Sequence, residues 1–369
     1  MLDRLRTYRR KLHQIPELEL DLPMTQAYIK SILEPLPCTI SSPIPNSVVA
    51  YFDGGKENTV AMRSDMDALP VKEANETDYI SQHPGVMHAC GHDGHMAMLL
   101  VFAEELASYY KELPHNVLLI FQPGEETPGG AEPLCNTGFL EHYHVKRIFG
   151  FHLWPMLAQG VIATRKNEFM ARAAEVNIDI EGKSAHAAKY KEGIDALEVA
   201  MSYVLDLYTM EEKEIAAGVY RLLRFGKFQS GTVRNVVSNH TRLEGSLRAF
   251  QDDTFNYMKD RLYEIAKEYE DKYQVRFTFD INTGYPAVIN DESLCDQVLK
   301  ELGTENIVLL EKPEMISEDF AFYQRRVPGV FFFLGTGTGI ALHANTFDFD
   351  EEVLVKGVET YKKLSRLEI

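Results

Sequence analysis

The sequence predicts an α/β fold, a mainly parallel sheet domain interrupted by a smaller α+β domain. Three observations point to it. Apolar runs of strand length alternate with helical segments between residues 48 and 154; residues 175 to 285 read strand, helix, strand, strand, helix, strand; and the first pattern returns after residue 286. The expected boundaries are 1–169 and 286–369 for the outer domain and 170–285 for the insert.

The outer domain opens with VVAYFD (48–53) and TVAMRSD (59–65). The helical AMLLVFAEELASYY (97–110), then NVLLIFQP (116–123) and RIFGFHLW (147–154) follow. Strands alternating with helices give a largely parallel sheet, and strands apolar on both faces suit a sheet covered on both sides. In the insert, EVNIDIEG (175–182), a helix near 194–210, VYRLLRFGKF (219–228), TRLEGSLRAF (241–250), a charged helix at 251–272 and VRFTFDINTGY (275–285) make a βαββαβ order. Its strands alternate in polarity, as in a half-exposed antiparallel sheet. The segment DTFNYMKDRLYEIAKEYEDKY spaces apolar residues at helical intervals opposite a charged face, the pattern of an amphipathic cover. Past 286 come another helix, the apolar VFFFLG and a last helix, VLVKGVETYKKL.

Composition narrows the function. A chain of 369 residues that is 45% hydrophobic can bury a large core. The longest apolar stretches, VFFFL at 330–334 and VLLIF at 117–121, fall far short of the ~20 residues that cross a bilayer, so no membrane association is expected. The N-terminal MLDRLRTYRRKLHQIP is charged throughout and has no apolar central region of a secretory signal, so a cytoplasmic protein is expected, with the basic residues decorating a first helix. A net charge of −17 argues against nucleic acid as a partner. Cys38, Cys90, Cys135 and Cys295 are widely spaced with no C-x-x-C, and each is expected to be a free thiol unless a metal claims one.

The chemistry gathers at strand ends, where open α/β sheets bind ligands. TVAMRSD ends on Asp65, with Asp67 two residues on. NVLLIFQP runs into Gly124, Glu125 and Glu126, RIFGF into His152, and VFFFLG into a glycine-rich loop leading to His343. The loop MHACGHDGHM (87–96) adds Cys90 and His92 and feeds the helix after it. Each has an ordinary alternative, since a lone cysteine is most often a small buried hydrophobe, but their joint placement favours a metal site. A thiolate, imidazoles and a carboxylate suit Zn, Mn, Co or Ni. Five ligands exceed what one tetrahedral ion with a water can use, so two divalent ions about 3.5–4 Å apart are expected, polarising a carbonyl and activating a water, with one glutamate of the pair as base. His142 and His144 precede a strand and are read as surface; His83, His88 and His115 have no partner demanded by spacing; His95 could cap a helix or face the site.

These residues also resemble a family. RSDMDALP, ACGHDGH, PGEETPGGA, FHLWP, GKSAHAA, RNVVSN, EGSLRAF, SEDFAFY and LHANTFDFDE are similar, in order and spacing, to the aminoacylase-like branch of the M20 metallopeptidases. That resemblance implies a zinc-peptidase-like catalytic domain with an inserted lid and dimerisation domain. It implies metal ligands at Cys90, His92, Glu126, His152 and His343, with Glu125 as general base. Arg63 stands where the wider family has a metal-binding histidine, and Cys90 makes up the lost ligand; either Asp65 or Asp67 matches the orienting aspartate. His186 matches a histidine that stabilises the oxyanion, and Asn235 and Arg248 match substrate contacts, an Arg fork suiting a carboxylate. HAAKYK departs from the branch's usual HAAxPH. The SAHAAKYKEGIDAL variant with FHLWP is most like N-acetyldiaminopimelate deacetylases, implying hydrolysis of N-acetyl-LL-2,6-diaminopimelate in the acetylase route to lysine by a cytoplasmic homodimer joined through the lid. The rival readings are a broader N-acyl-amino-acid or hippurate-type amidohydrolase and, from another class, a non-catalytic binding protein on the same fold.

Overall fold

Fourteen strands are found among the residues the computed structural model describes, 1–303 and 307–368. In chain order they are β1 (Thr39–Ser41), β2 (Val48–Phe52), β3 (Thr59–Asp65), β4 (Asn116–Gln122), β5 (Val145–Trp154), β6 (Ile162–Thr164), β7 (Asn167–Met170), β8 (Arg172–Glu181), β9 (Arg221–Ser230), β10 (His240–Ala249), β11 (Arg276–Ile281), β12 (Val288–Asn290), β13 (Ile307–Leu309) and β14 (Gly329–Gly335). The chain divides into two compact units, Met1–Phe169 with Val288–Pro313 and Asp319–Ile369, and Met170–Ala287 with Glu314–Glu318.

The first unit holds an eight-stranded sheet ordered β1-β2-β4-β3-β5-β14-β6-β13. Its centre is parallel: β4 with β3, β3 with β5 and β5 with β14, as is the β6 and β13 pair at one edge. Antiparallel junctions join β1 to β2, β2 to β4 and β14 to β6. The sheet is therefore mainly parallel, as its apolar runs require: every residue of β3, β4 and β14 is buried, so both faces are covered. Short strands with little hydrophobic pattern, β1, β6 and β13, extend the sheet beyond what periodicity reveals.

One helix boundary differs from expectation in a way that matters for the site. The helix expected at 97–110 spans His92–Leu106, so half of MHACGHDGHM is its first turn rather than a feeding loop. Gly91 precedes it at φ 85°, and a Cβ there would lie 2.9 Å from Leu153 Cδ1. Only glycine takes that left-handed, crowded position without strain, which is how the helix starts on a histidine instead of on the apolar run.

The second unit is a four-stranded antiparallel sheet, β11-β8-β10-β9. With helices Ala196–Lys213 and Asp252–Tyr273 the order is βαββαβ. Along β8, Ala174, Val176, Ile178 and Ile180 are buried and join a core with Tyr203, Phe255 and Leu262 from the two helices, while alternate residues face outward.

Candidate metal centre

The parallel register sets the geometry. Asp65 pairs across from Gln122 and Arg63 from Gly150, so the ends of β3 and β4 and His152 of β5 stand level on neighbouring strands. Gly124 (φ 70°) then turns the chain after β4 so that Glu125 and Glu126 face back; a Cβ there would come 2.6 Å from Leu20 Cδ2.

Hydrogen bonds fix which atom each ligand presents. His92 Nδ1 donates to the Asp67 carbonyl at 2.8 Å, and His152 Nδ1 to the Leu153 carbonyl at 2.7 Å. Each ring therefore keeps its Nε2 lone pair for another partner. His92 Nε2 is buried without a hydrogen bond, an arrangement that costs free energy unless something such as a cation accepts the lone pair. Cys90 Sγ lies 3.3 Å from His152 Nε2, and Glu126 Oε1 lies 3.2 Å from His343 Nε2. Two donor triads result, Cys90 with His92 and His152, and Cys90 with Glu126 and His343, each with its ligand atoms within 4.8 Å of one another. The triads share Cys90, and Glu125 sits beside His92 and Glu126 in a third grouping. All five expected ligands thus converge, and the donor set of thiol, imidazoles and carboxylate fits a pair of first-row divalent ions.

The electrostatics agree. Burial pushes the Cys90 thiol up, and Glu126 and Glu125 push it further, so it ionises only with a cation to compensate. Burial lowers His152 to about 3, leaving a neutral imidazole. For His92 burial also opposes charge, but Asp65, Asp67 and Glu126 outweigh it and raise the ring to about 10. The negative field that holds a proton there attracts a metal ion in its place. The two aspartates do different work. Asp65, buried, accepts from Arg63 at 2.9 Å and from His95 Nδ1 at 2.7 Å; burial opposes its ionisation, but His92, His95 and Arg63 hold it well below the usual carboxylate range. Asp67 accepts the backbone N–H of Glu125 at 2.8 Å and of Glu126 at 3.0 Å, so it folds the turn that carries both glutamates.

Residues 61–366 match the family model of peptidase family M20/M25/M40. The chain belongs to that family. An uncharacterized hydrolase of Staphylococcus epidermidis (strain ATCC 12228) is 35% identical over 369 residues, covering 97% of this chain and 96% of that protein. A crystal structure of a protein from methicillin-resistant Staphylococcus aureus superposes with a TM-score of 0.92 at 30% identity, covering 100% of this chain and 97% of that one. The Bacillus subtilis protein YXEP, a dinuclear metal-binding peptidase of the M20 family, gives a TM-score of 0.85 at 28% identity, covering 99% and 97%.

Several features of this M20 chain were not legible in its sequence. His95, left open there, uses both ring nitrogens, one on Asp65 and the other accepting Leu153 N–H at 2.9 Å, so it orients Asp65 and is not a ligand. Asp319, in SEDFAFY, receives Arg63 at 2.7 Å, Gln122 Nε2 at 2.7 Å and Ala131 N–H at 2.9 Å. The available signal was Arg63 itself: an arginine inside a strand buried on both faces demands carboxylates. His83 binds the Pro16 carbonyl, His115 lies between the Asn116 and Leu367 carbonyls, and His142 and His144 are exposed.

His186, Asn235 and Arg248 belong to the second unit. His186 and Asn235 are exposed on adjoining loops, where Ala187 N–H donates to the Asn235 carbonyl at 2.9 Å and His186 Nδ1 accepts Ala188 N–H at 3.1 Å. Arg248, half-buried near the end of β10, donates to the Met315 carbonyl. No helix among the described residues is long and apolar enough to cross a membrane.

Proposed function

We propose that this M20-family hydrolase is a metal-dependent amidohydrolase that removes the acetyl group of N-acetyl-LL-2,6-diaminopimelate, giving LL-2,6-diaminopimelate and acetate. The observation that carries the reading is the pair of donor triads sharing Cys90 beside Glu125. Cys90, His92, Glu126, His152 and His343 would hold two divalent ions, Zn, Mn, Co or Ni; a dinuclear centre in the related Bacillus subtilis protein supports this. Ions held there supply Lewis acidity, polarising the amide carbonyl and lowering the pKa of the attacking water.

Glu125 takes a proton from that water as its oxygen bonds the acyl carbon, then delivers the proton to the departing nitrogen as the C–N bond breaks. Asp67 keeps Glu125 and Glu126 on one tight turn, so base and ligand stay in fixed relation. Asp65 sets His95 and the charge around His92. His186 is assigned to the oxyanion and Asn235 and Arg248 to the substrate, Arg248 to a carboxylate. We take the protein to be a cytoplasmic homodimer formed through the second unit; the pairing is supported by Leu197, Met201 and Leu205, exposed at four-residue intervals on one helix face, and by the edge strand β9.

The test compares turnover of N-acetyldiaminopimelate, hippurate and N-acetylmethionine by the purified enzyme with Mn²⁺ or Zn²⁺. Fastest cleavage of N-acetyldiaminopimelate is expected. Faster cleavage of hippurate selects the broader N-acyl-amino-acid hydrolase, and no cleavage of any selects a binding protein.

A further inference from the structure

We infer that Arg9 and His13, on the N-terminal helix Leu2–His13, form a buried cationic clamp that positions the His343 arm of the metal centre against the helix beginning at His92. The inference rests on the metal-centre reading above and concerns residues that contact neither ions nor substrate.

Both side chains are almost fully buried. Arg9 Nε donates to Asp93 Oδ2 at 3.0 Å and its NH2 to Asp348 Oδ1 at 2.5 Å; the guanidinium lies 4.1 Å from the Phe349 ring centroid. His13 joins Asp93 Oδ2 through Nδ1 at 2.8 Å and Glu73 Oε1 through Nε2 at 3.0 Å. Two carboxylate partners accept from both nitrogens only if the ring is an imidazolium. Two cations on one helix thus hydrogen-bond three carboxylates from three separate segments, and a fourth, Glu351, lies 3.5 Å from Arg9 NH1.

Each segment leads to the metal centre. Asp93 directly follows His92 in the first helical turn, and its Oδ1 accepts Gly94 N–H at 2.9 Å. Asp348 stands five residues beyond His343; besides Arg9 it takes Phe349 N–H at 2.9 Å and the Tyr79 hydroxyl at 2.8 Å. Glu73 lies on a loop that grips the same arm from the other side, with Ala74 N–H on the Asn345 carbonyl at 2.8 Å and Asn75 Nδ2 on the Phe347 carbonyl at 3.3 Å.

The His343 arm needs such support more than the other ligands do. His92 and His152 are buried on a helix and a central strand, whereas the His343 side chain is 52% exposed, its backbone sits at φ 66°, and Glu126 is the ligand it meets. A strained, exposed ligand keeps its place only when its surroundings over-determine it. Here those surroundings are the His343 N–H bond to the Ala89 carbonyl at 2.9 Å and the charges anchored on Arg9 and His13. The triad containing His343 therefore depends on the clamp most, because His92 and His152 keep their own bonds to the Asp67 and Leu153 carbonyls.

The experiment titrates Mn²⁺ into the chelator-stripped full-length chain by calorimetry. Wild type is expected to take two ions, and His343→Ala identifies which binding event belongs to the triad with Glu126. Arg9→Met and Asp348→Asn should weaken that same event by roughly 10–100-fold and the other by much less. Tyr79→Phe, which removes one hydroxyl and leaves the charges, gives a smaller loss in the same event if the stronger variants do not fold. Lys11→Ala, an exposed position of the same helix, should keep both. Unchanged binding of both ions by the clamp variants overturns the inference, as does equal weakening of both events. Failure of the wild type to take two ions sinks the metal reading instead.

Discussion

The two units treat polar side chains in opposite ways. In the first, Arg63, Asp65, Asp67, His92 and His152 are buried, and each has its orientation fixed by named donors and acceptors. In the second, His186 and Asn235 are exposed on loops, and the outer face of the sheet carries ion pairs open to water, such as Arg242 with Asp179 and Lys227 with Glu244. The difference teaches where function and stability are coupled. A buried charge is tolerable only with its partner, so changes in the first unit disturb the fold along with the chemistry. Exposed groups in the second can change binding while leaving the fold alone.

Glu125→Ala breaks this comparison most sharply, because it should separate chemistry from fold inside the buried unit. Asp67 holds the turn through the Glu125 backbone N–H, which the substitution keeps. Turnover should fall about 10²–10⁴-fold with metal content unchanged by elemental analysis. An unaffected rate would mean that a different base operates. Arg63→Met comes next. It leaves Asp65 and Asp319 buried without their guanidinium, a loss of about 3–5 kcal/mol in chemical denaturation.

The same contrast explains how much of the fold and the site is written in the sequence. The alternation of apolar runs with helices gave the mainly parallel sheet and the βαββαβ order, because core burial writes itself into periodicity. The convergence of Cys90, His92, Glu126, His152 and His343 was legible in part because the strands that lead to Glu126, His152 and His343 end at one edge of the sheet. The charged clamp was not: MLDRLRTYRRKLHQIP reads as a basic surface helix, and nothing in it distinguishes buried Arg9 from half-exposed Arg10. Burial of a charge is decided by partners 60 or more residues away, Glu73, Asp93 and Asp348, and local spacing carries no trace of them. Asp319 escaped for the same reason.

Stability against pH sharpens the comparison on a smaller scale. Burial opposes the charge on His13, but hydrogen bonds to Asp93 and Glu73 outweigh it and raise the ring to about 9. The folded value lies above the ordinary 6.5, so the stabilisation is fully present below about pH 6.5 and is lost as pH rises through 9. At full loss it amounts to roughly 3 kcal/mol. Burial opposes ionisation of both Glu73 and Asp93, but His13 outweighs it at Glu73 and Arg9 together with His13 outweighs it at Asp93, so both are lowered. Their contribution is present above the ordinary carboxylate range and fades on acidification. Denaturation midpoints measured from pH 6 to 10 should fall in wild type and fall less in His13→Gln; parallel slopes would place the alkaline loss elsewhere.

The smallest effect is expected where the second unit repeats the first unit's chemistry in water. Arg242 donates to Asp179 and, at 3.0 Å, to Glu244, a carboxylate on either side much as Arg63 has Asp65 and Asp319. Its side chain is a third exposed, so solvent screens the attraction and both carboxylates hydrate when it leaves. Arg242→Met should therefore shift the thermal midpoint by about 1 °C or less, against the several kcal/mol expected for Arg63→Met. A loss at Arg242 as large as that at Arg63 would show that this face of the second unit is dry in solution. Protein association would be the reason to seek first, read as a midpoint that rises with protein concentration.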